Sequence, residues 1–230
     1  MHNRTSHLLG FNASEFSYST IKTILNGTSR PVVLDIGCNV GDFVSEVLSV
    51  NKKARFFCFD IDPFYESVLK HKFPESRIQY FTLGLSNRIG MTKLVKKNAS
   101  DRKAYLVNES KKDSREDNSK FVKVSTLDQI FPSLRVTKVN VLKIDTEGQD
   151  FKVLLGGREV LRRTEVVVFE VMHRLLENGN QPQEIIEFLK NLGFSDFYRL
   201  SKYFGLQPLK EIFPWEVATQ NIVASRGKLR

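Results

Sequence analysis

Residues 32–43, VVLDIGCNVGDF, decide the fold of this chain. A short apolar, β-branched run leads into Asp35, and Gly37, Asn39 and Gly41 follow before apolar residues resume. The run predicts a buried strand, and the residues after Gly41 predict the start of a helix. The two glycines allow a close backbone approach to a ligand, Asn39 tolerates a left-handed conformation, and a helix N-terminus offers free N–H groups. The stretch is therefore either a ligand-binding turn or a tight turn in an ordinary core.

Strands alternate with helices through most of the remaining chain. This alternation predicts βαβ units with right-handed crossovers. The expected fold class is α/β, with a Rossmann-like, doubly wound, mostly parallel sheet and helices on both faces. The predicted strands are 31–37, 54–62, 77–86, 138–148, 164–171 and 221–227, and the predicted helices are 42–50, 62–73, 150–161 and 182–194. Residues 121–131 predict a strand and then the start of a helix, with Thr126 or Ser125 able to cap it.

One domain with a short appendage accounts for the 230 residues. Residues 1–30 are expected to be an N-terminal arm that is partly helical over 14–25, and residues 31–230 the main domain. Residues 96–120 are polar and predict a surface loop. Within the helix predicted over 62–73, Asp62 is a candidate N-cap and Pro63 suits the first helical position.

Composition excludes several classes of protein. With only Cys38 and Cys58, both beside apolar runs, the chain has no disulfide framework and no cysteine-built zinc site, and two buried thiols are expected. The net charge of +9 is compatible with a nucleic acid, an anionic cofactor, an acidic glycan or a membrane surface as partner, and also with a simply solvated surface.

The location expected by default is the cytoplasm. No apolar run reaches about 18 residues, so no membrane span is expected, and residues 1–16 contain no apolar segment typical of a secretory signal. The secretory pathway stays open as the alternative if the chain is part of a longer protein. Asn-X-Ser/Thr sequons occur at Asn3, Asn12, Asn26, Asn98 and Asn108.

Acidic residues at the ends of other predicted strands favour a ligand site. In a doubly wound sheet, ligands bind at the carboxyl ends of the strands, where the strand order reverses. Asp60 follows Gly41 at about the 20-residue offset expected for an acid that accepts hydrogen bonds from the ribose hydroxyls of a nucleotide. Asp145 and Glu147 end a second strand, and two further candidates, Glu170 and His173, end a third.

The cofactor expected at this site is a nucleoside without a pyrophosphate. The turn lacks the full G-x-G-x-x-G pattern that brings the backbone close to a pyrophosphate along its length. A shorter glycine cluster fits S-adenosylmethionine better than a nicotinamide dinucleotide.

Together these segments resemble the FkbM family of S-adenosylmethionine-dependent methyltransferases, from about residue 31 to the C-terminus. The Lys-Ile-Asp-x-Glu-Gly sequence followed by an apolar helix is the most specific of the shared motifs. The segments that carry the resemblance are VVLDIGCNVGDF (32–43), FDIDP (59–63), VSTLDQI (124–130), VLKIDTEGQDFKVLLGG (141–157) and VVVFEV (166–171).

The resemblance implies a class I methyltransferase fold, with a seven-stranded sheet whose last strand is antiparallel. It implies that the cofactor's ribose is held by Asp60 and its methionine part by the turn residues Asp35, Gly37, Asn39 and Gly41. Members of the family mostly methylate hydroxyl oxygens of small molecules, sugars or natural products. The resemblance also implies an acid after the third strand that contacts the cofactor's adenine. The chain has no acid around Ser86, so Ser86 is the candidate for the adenine contact.

Transfer to a hydroxyl also requires loss of its proton. Asp145, Glu147 or His173 is a candidate general base, with Asp145 preferred because it ends the strand nearest the expected methyl group. In an alternative arrangement, Asp145 and Glu170 ligate a divalent cation that lowers the pKa of the hydroxyl.

The sequence therefore favours a methyltransferase acting on a hydroxyl of a small molecule or glycan. Two other kinds of function stay open. One is a nucleic-acid methyltransferase, which the positive charge suggests. The other is a cofactor-binding protein without catalysis, or a nicotinamide enzyme built on a similar sheet.

Overall fold

The computed structural model describes residues 16–96, 104–106, 119–172, 182–201, 204–209 and 219–229. Strands and helices alternate in them much as the sequence predicts. In chain order the elements are α1 (Tyr18–Leu25), β1 (Val32–Ile36), α2 (Asp42–Val50), β2 (Arg55–Asp60), α3 (Pro63–Lys72), β3 (Ile78–Thr82), β4 (Gly84–Leu85), β5 (Gly90–Lys96), β6 (Ala104–Leu106), β7 (Ser119–Ser125), α4 (Leu127–Ile130), β8 (Val139–Ile144), α5 (Asp150–Leu155), α6 (Arg158–Arg162), β9 (Thr164–Met172), α7 (Pro182–Asn191), β10 (Asp196–Ser201), β11 (Gly205–Pro208) and β12 (Thr219–Ser225).

The main sheet has the strand order β11-β10-β12-β9-β8-β1-β2-β3 among the described residues. Neighbours from β9 through β3 pair in parallel, whereas β12 runs antiparallel to both β9 and β10. The doubly wound, mostly parallel sheet is confirmed, including the antiparallel last strand. The expected strand count of seven is wrong, because the chain turns back after β10 and adds β11 as an edge strand. Strand order reverses at β1, between β2 and β8, which is where a ligand is expected.

A second, four-stranded sheet has the order β4-β7-β5-β6. The sequence predicted a single strand over 77–86, but the chain leaves the main sheet after Thr82 and enters the second sheet at Gly84. The strand β6 lies inside the segment predicted as a polar surface loop, and it pairs antiparallel with β5. Residues 97–103 and 107–118 of that segment lie outside the described residues.

Helix termini follow the local chemistry of the sequence. Asp62 caps α3 by accepting a hydrogen bond from the backbone N–H of Phe64, and Pro63 begins the helix, as predicted. The helix of the N-terminal arm is present as α1. The helix predicted over 150–161 is instead two short helices, α5 and α6, because Gly156 and Gly157 interrupt it. A β-carbon at Gly156 would lie 2.1 Å from the Ser86 carbonyl oxygen, so the chain needs a glycine there.

Two apolar cores cover the two faces of the main sheet. One is built around Phe57, Leu142 and Phe169 under α4 to α7, and the other around Phe56, Val44 and Leu69 under α1 to α3. Cys38 and Cys58 are free, buried thiols in the second core, as predicted. In the part of the chain that the structure describes, no helix has the length and apolar character needed to cross a bilayer.

Candidate functional site

An open pocket lies at the carboxyl ends of β1, β2 and β8. Its floor and walls combine backbone of the β1–α2 turn, acidic side chains, and apolar side chains of the second sheet. The lining residues are Ile36, Gly37, Asn39, Phe59, Asp60, Ile61, Tyr65, Leu83, Gly84, Leu85, Leu94, Asp145, Thr146, Glu147 and Gln149. The structure thus brings together Gly37, Asn39, Asp60, Asp145 and Glu147, which the sequence predicted from separate strands.

The turn after β1 has the conformation that its glycines and asparagine predict. Gly37, Asn39 and Gly41 have φ values of 74°, 46° and 76°, all in the left-handed region that glycine and asparagine tolerate best. Space also requires glycine at Gly37, since a β-carbon there would lie 1.9 Å from the backbone oxygen of Asp145. The turn after β1 therefore packs directly on the turn after β8, and the two form one wall.

Asp60 fixes the shape of this turn through both carboxylate oxygens. Asn39 N–H donates to Oδ2 and Asp62 N–H donates to Oδ1, each at 3.0 Å. Burial raises the pKa of Asp60, and these two hydrogen bonds oppose the rise. A carboxylate has acceptor sites for about four hydrogen bonds, so Asp60 keeps capacity for a ligand's donors after binding both backbone groups.

Lys143 is a buried cation between two carboxylates beneath the pocket. Its Nζ lies 3.4 Å from Asp35 Oδ1 and 3.3 Å from Asp145 Oδ2, and it donates to the Gly37 carbonyl oxygen at 3.1 Å. Burial lowers the pKa of Lys143, but attraction to Asp145 and Asp35 outweighs burial and raises it above its ordinary value. Lys143 therefore stays charged and joins the ends of β1 and β8.

Asp35 is completely buried, and no described residue donates a hydrogen bond to either of its carboxylate oxygens. Burial raises its pKa, while the nearby Lys143 ammonium opposes this. Its neighbour in the ion pair, Lys143, is a functional candidate that the sequence considered only as a salt-bridge partner of the loop acids. The available signal was a lysine between Leu142 and Ile144 in a parallel strand, where both faces are buried and an apolar residue is expected.

Asp150 is a second residue that sequence reasoning missed. It is fully buried at the start of α5, where Oδ2 accepts from the backbone N–H and hydroxyl of Thr146, and Oδ1 accepts from Glu170 N–H. Burial and, second, repulsion from Asp145 raise the pKa of Asp150 to about 6, against the effect of these hydrogen bonds. Asp150 ties the loop that carries Asp145 to the end of β9.

Three further site residues predicted from the sequence are Glu147, Ser86 and His173. Glu147 lines the pocket with a left-handed φ of 51°, a conformation that costs free energy in a residue with a side chain and recurs at functional sites. Ser86 is buried beside the pocket but is not among its lining residues, and its hydroxyl lies within 3.4 Å of Asn87 Oδ1. His173 lies outside the described residues.

The metal hypothesis gains no support from the described side chains. Asp145 and Glu170 follow the paired residues Ile144 and Phe169, so they occupy neighbouring strand ends. Within the residues that the structure describes, however, no group of three or more histidine, cysteine, aspartate or glutamate side chains is placed to hold a metal ion.

Comparison with known proteins identifies the family. Residues 35–195 match the model of the methyltransferase FkbM domain. The chain belongs to the FkbM methyltransferase family. The match covers the turn after β1, the pocket acids and the Lys-Ile-Asp-x-Glu-Gly segment, so the resemblance stated from the sequence is confirmed.

A curated relative resembles the chain in sequence, and a solved structure resembles it in fold. The chain is 26% identical over 168 residues to the 2-O-methyltransferase NoeI of Sinorhizobium fredii, across 68% of this chain and 69% of the relative. It also resembles a crystal structure from Clostridium thermocellum that is assigned as an rRNA methylase, with a TM-score of 0.51, 11% identity and coverage of 90% and 92% of the two chains. The second likeness concerns the fold alone. Family membership and the class I methyltransferase fold establish the chain as a methyltransferase.

Proposed function

We propose that this FkbM protein uses S-adenosylmethionine to methylate a hydroxyl oxygen of a small molecule or glycan. The observation that carries the proposal is Asp60 at the end of β2, held rigidly against the turn after β1 while retaining acceptor capacity toward the pocket. A rigid carboxylate beside a glycine-rich turn suits a ribose diol. The 2-O-methyltransferase activity of the NoeI relative supports a hydroxyl as acceptor.

The residues at the turn fit the amino-acid end of this cofactor. The buried Asp35 carboxylate does not line the pocket and is paired with Lys143, so it supports the turn from below rather than by contact with the cofactor. Gly37 and Asn39 line the pocket without bulk that would keep a ligand from the backbone. Asp60, Asp145 and Glu147 give this wall a negative character, which favours a cofactor that carries a positive sulfonium.

Bound S-adenosylmethionine supplies an activated methyl group, so the protein's task is alignment and proton removal. Asp145 lies at the pocket wall, partly exposed, with one carboxylate oxygen held by Lys143. In the proposed reaction the other oxygen accepts the proton of the substrate hydroxyl as the methyl group transfers. General-base assistance of this kind is typically worth about 10²–10⁴-fold in rate.

Lys143 and Asp150 give Asp145 its position. Lys143 fixes its side chain through the ion pair, and Asp150 fixes the following residue, Thr146. The apolar Leu83, Leu85 and Leu94 on the facing wall exclude water from the reacting groups. Glu147, which lies on the same wall as Asp145, is the second candidate for contact with the acceptor.

Calorimetric binding of S-adenosylmethionine and S-adenosylhomocysteine tests the cofactor first. We expect the wild type to bind both, Asp60→Ala to lose most of that affinity, and Asp42→Ala to bind as the wild type does, since Asp42 is an exposed residue outside the pocket lining. Absence of binding by the wild type would contradict the proposed cofactor and favour a non-catalytic protein.

Turnover then tests the role of Asp145, with a panel of hydroxylated sugars as acceptors. Asp145→Asn keeps the size of the side chain but cannot accept a proton as a carboxylate does. We expect this variant to bind S-adenosylhomocysteine like the wild type while methyl transfer falls by about 10²-fold or more. Full activity in Asp145→Asn would refute the role of Asp145 as base without affecting the cofactor assignment.

A further inference from the structure

The second sheet has one face turned to the protein and one face turned to solvent. β5 and β7 pair so that Met91 lies opposite Lys123 and Lys93 opposite Phe121. Because side chains alternate along a strand, these four residues share the outer face. The intervening residues, Thr92, Leu94 and Val124, are buried on the inner face, and Leu94 there lines the pocket.

The outer face exposes large apolar side chains. The exposed fractions are 67% for Phe121 and 46% for Met91, and Ile89, in the turn that leads into β5, is 64% exposed. Single exposed apolar residues are common on proteins, but a cluster of three on one small sheet indicates an interaction surface.

Among the described residues of β5, β7 and the turn before β5, the charged side chains are all basic. Arg88 and Lys123 are exposed, and Lys93 is half-buried beside them. Segments 84–96 and 119–125, which form this part of the sheet, contain no aspartate or glutamate. We call Ile89, Met91, Lys93, Phe121 and Lys123 together the basic-apolar face. Its charge complements an anionic partner.

We propose that the basic-apolar face docks the protein on the surface of a membrane that contains anionic lipids. Apolar side chains inserted at the headgroup boundary and lysines close to lipid phosphates are the two contributions that bind proteins peripherally to such surfaces. Phosphates of single-stranded RNA would also attract the lysines, but RNA-binding sheets present several aromatic rings for successive bases. Of the five residues that define the basic-apolar face, only Phe121 is aromatic, and Ile89 and Met91 offer apolar volume without a stacking surface.

Docking through this face has a consequence for the pocket. Leu94 lines the pocket from the inner side of β5, whereas Met91 and Lys93 lie on the outer side of the same strand. A membrane bound to the basic-apolar face would therefore lie one sheet layer from the pocket. The inference does not depend on which cofactor the pocket holds.

Flotation of the complete chain with lipid vesicles tests the proposal. The vesicles contain either phosphatidylcholine alone or phosphatidylcholine mixed with phosphatidylserine. We expect binding to the mixed vesicles, little binding to phosphatidylcholine alone, and release as the salt concentration rises, because screening weakens attraction between exposed charges. Lys123→Gln should weaken binding about fivefold, the effect of one basic residue near an anionic surface.

The apolar contribution is tested with neutral substitutions. Phe121→Ser and Met91→Ser should each weaken vesicle binding about tenfold or more, since each removes apolar volume that would leave water. Phe204→Ser is the matched control, because Phe204 is 74% exposed next to β11, at the opposite end of the main sheet from β3. All these residues are exposed, and equal thermal unfolding temperatures would show that the variants fold alike.

Three results would overturn the proposal. One is the absence of binding to the mixed vesicles at low salt. Another is vesicle binding that Phe204→Ser weakens as much as Phe121→Ser does. The third is binding of single-stranded RNA, but not of vesicles, that Lys123→Gln weakens.

Discussion

Replacement of Asp150 by asparagine tests the electrostatics that position the pocket loop. Asp150 is fully buried, and burial raises its pKa from the ordinary 3.8 to about 6. At about 1.36 kcal/mol for each pH unit, the difference corresponds to roughly 3 kcal/mol. Asparagine has nearly the same shape but does not titrate, so the substitution removes this pH-dependent free energy.

The direction of the pH dependence follows from which state, folded or unfolded, binds the Asp150 proton more tightly. The folded protein holds the Asp150 proton more strongly than the unfolded chain does, because its folded pKa is the higher one. The stabilisation from this proton is fully present below the unfolded pKa of 3.8 and is lost as the pH rises through about 6. The free energy of unfolding of Asp150→Asn, relative to that of the wild type, should therefore increase by roughly 2–3 kcal/mol between about pH 4 and pH 7.

Urea unfolding followed by circular dichroism at a series of pH values measures this difference. Asp42→Asn is the matched control, since it makes the same substitution at an exposed carboxylate on α2. A difference between Asp150→Asn and the wild type that stays constant with pH would refute the reasoning, because Asp150 would then bind its proton equally in both states.

Three further substitutions test the pocket wall. Gly37→Ala should lower the unfolding temperature and abolish cofactor binding in calorimetry, because its β-carbon would lie 1.9 Å from the Asp145 carbonyl oxygen. Lys143→Met should destabilise the protein at neutral pH by about 3–5 kcal/mol in urea unfolding, since it leaves the buried Asp35 carboxylate without its cation; an unchanged stability would contradict the ion pair. Asp60→Asn should weaken S-adenosylhomocysteine binding about tenfold or more in calorimetry, because an amide cannot accept both backbone N–H groups that the carboxylate now holds. Equal affinity would show that Asp60 does not shape the site.

Several parts of the site could be predicted from the sequence because their signals are local. The conformation of the turn after β1 follows from Gly37 and Asn39, which tolerate left-handed φ values. The cap of α3 follows from Asp62 and the proline after it. Asp60 was found because an acid at the end of the second strand of a doubly wound sheet has a regular offset from the glycine turn.

The strand count, the second sheet and the break between α5 and α6 were not predictable in this way. β6 has only three residues, and the pairing of β5 with β6 and β7 depends on partners that the sequence pattern does not specify. The need for glycine at Gly156, where the helix is interrupted, comes from the Ser86 carbonyl, which lies in a loop far away in the chain.

By itself, the sequence determined the alternation of strands and helices, the α/β class, the family, and the edge of the sheet at which the acids meet. Each of these depends on residue order over short distances and on the general rule that parallel strands share a carboxyl end. Only the tertiary structure decided that Lys143 lies between Asp35 and Asp145, and that Asp150 joins the β8 loop to β9. Buried charges acquire their partners, and hence their pKa values, from side chains of other strands, helices and loops, and only the packing of these elements brings the partners within hydrogen-bonding distance.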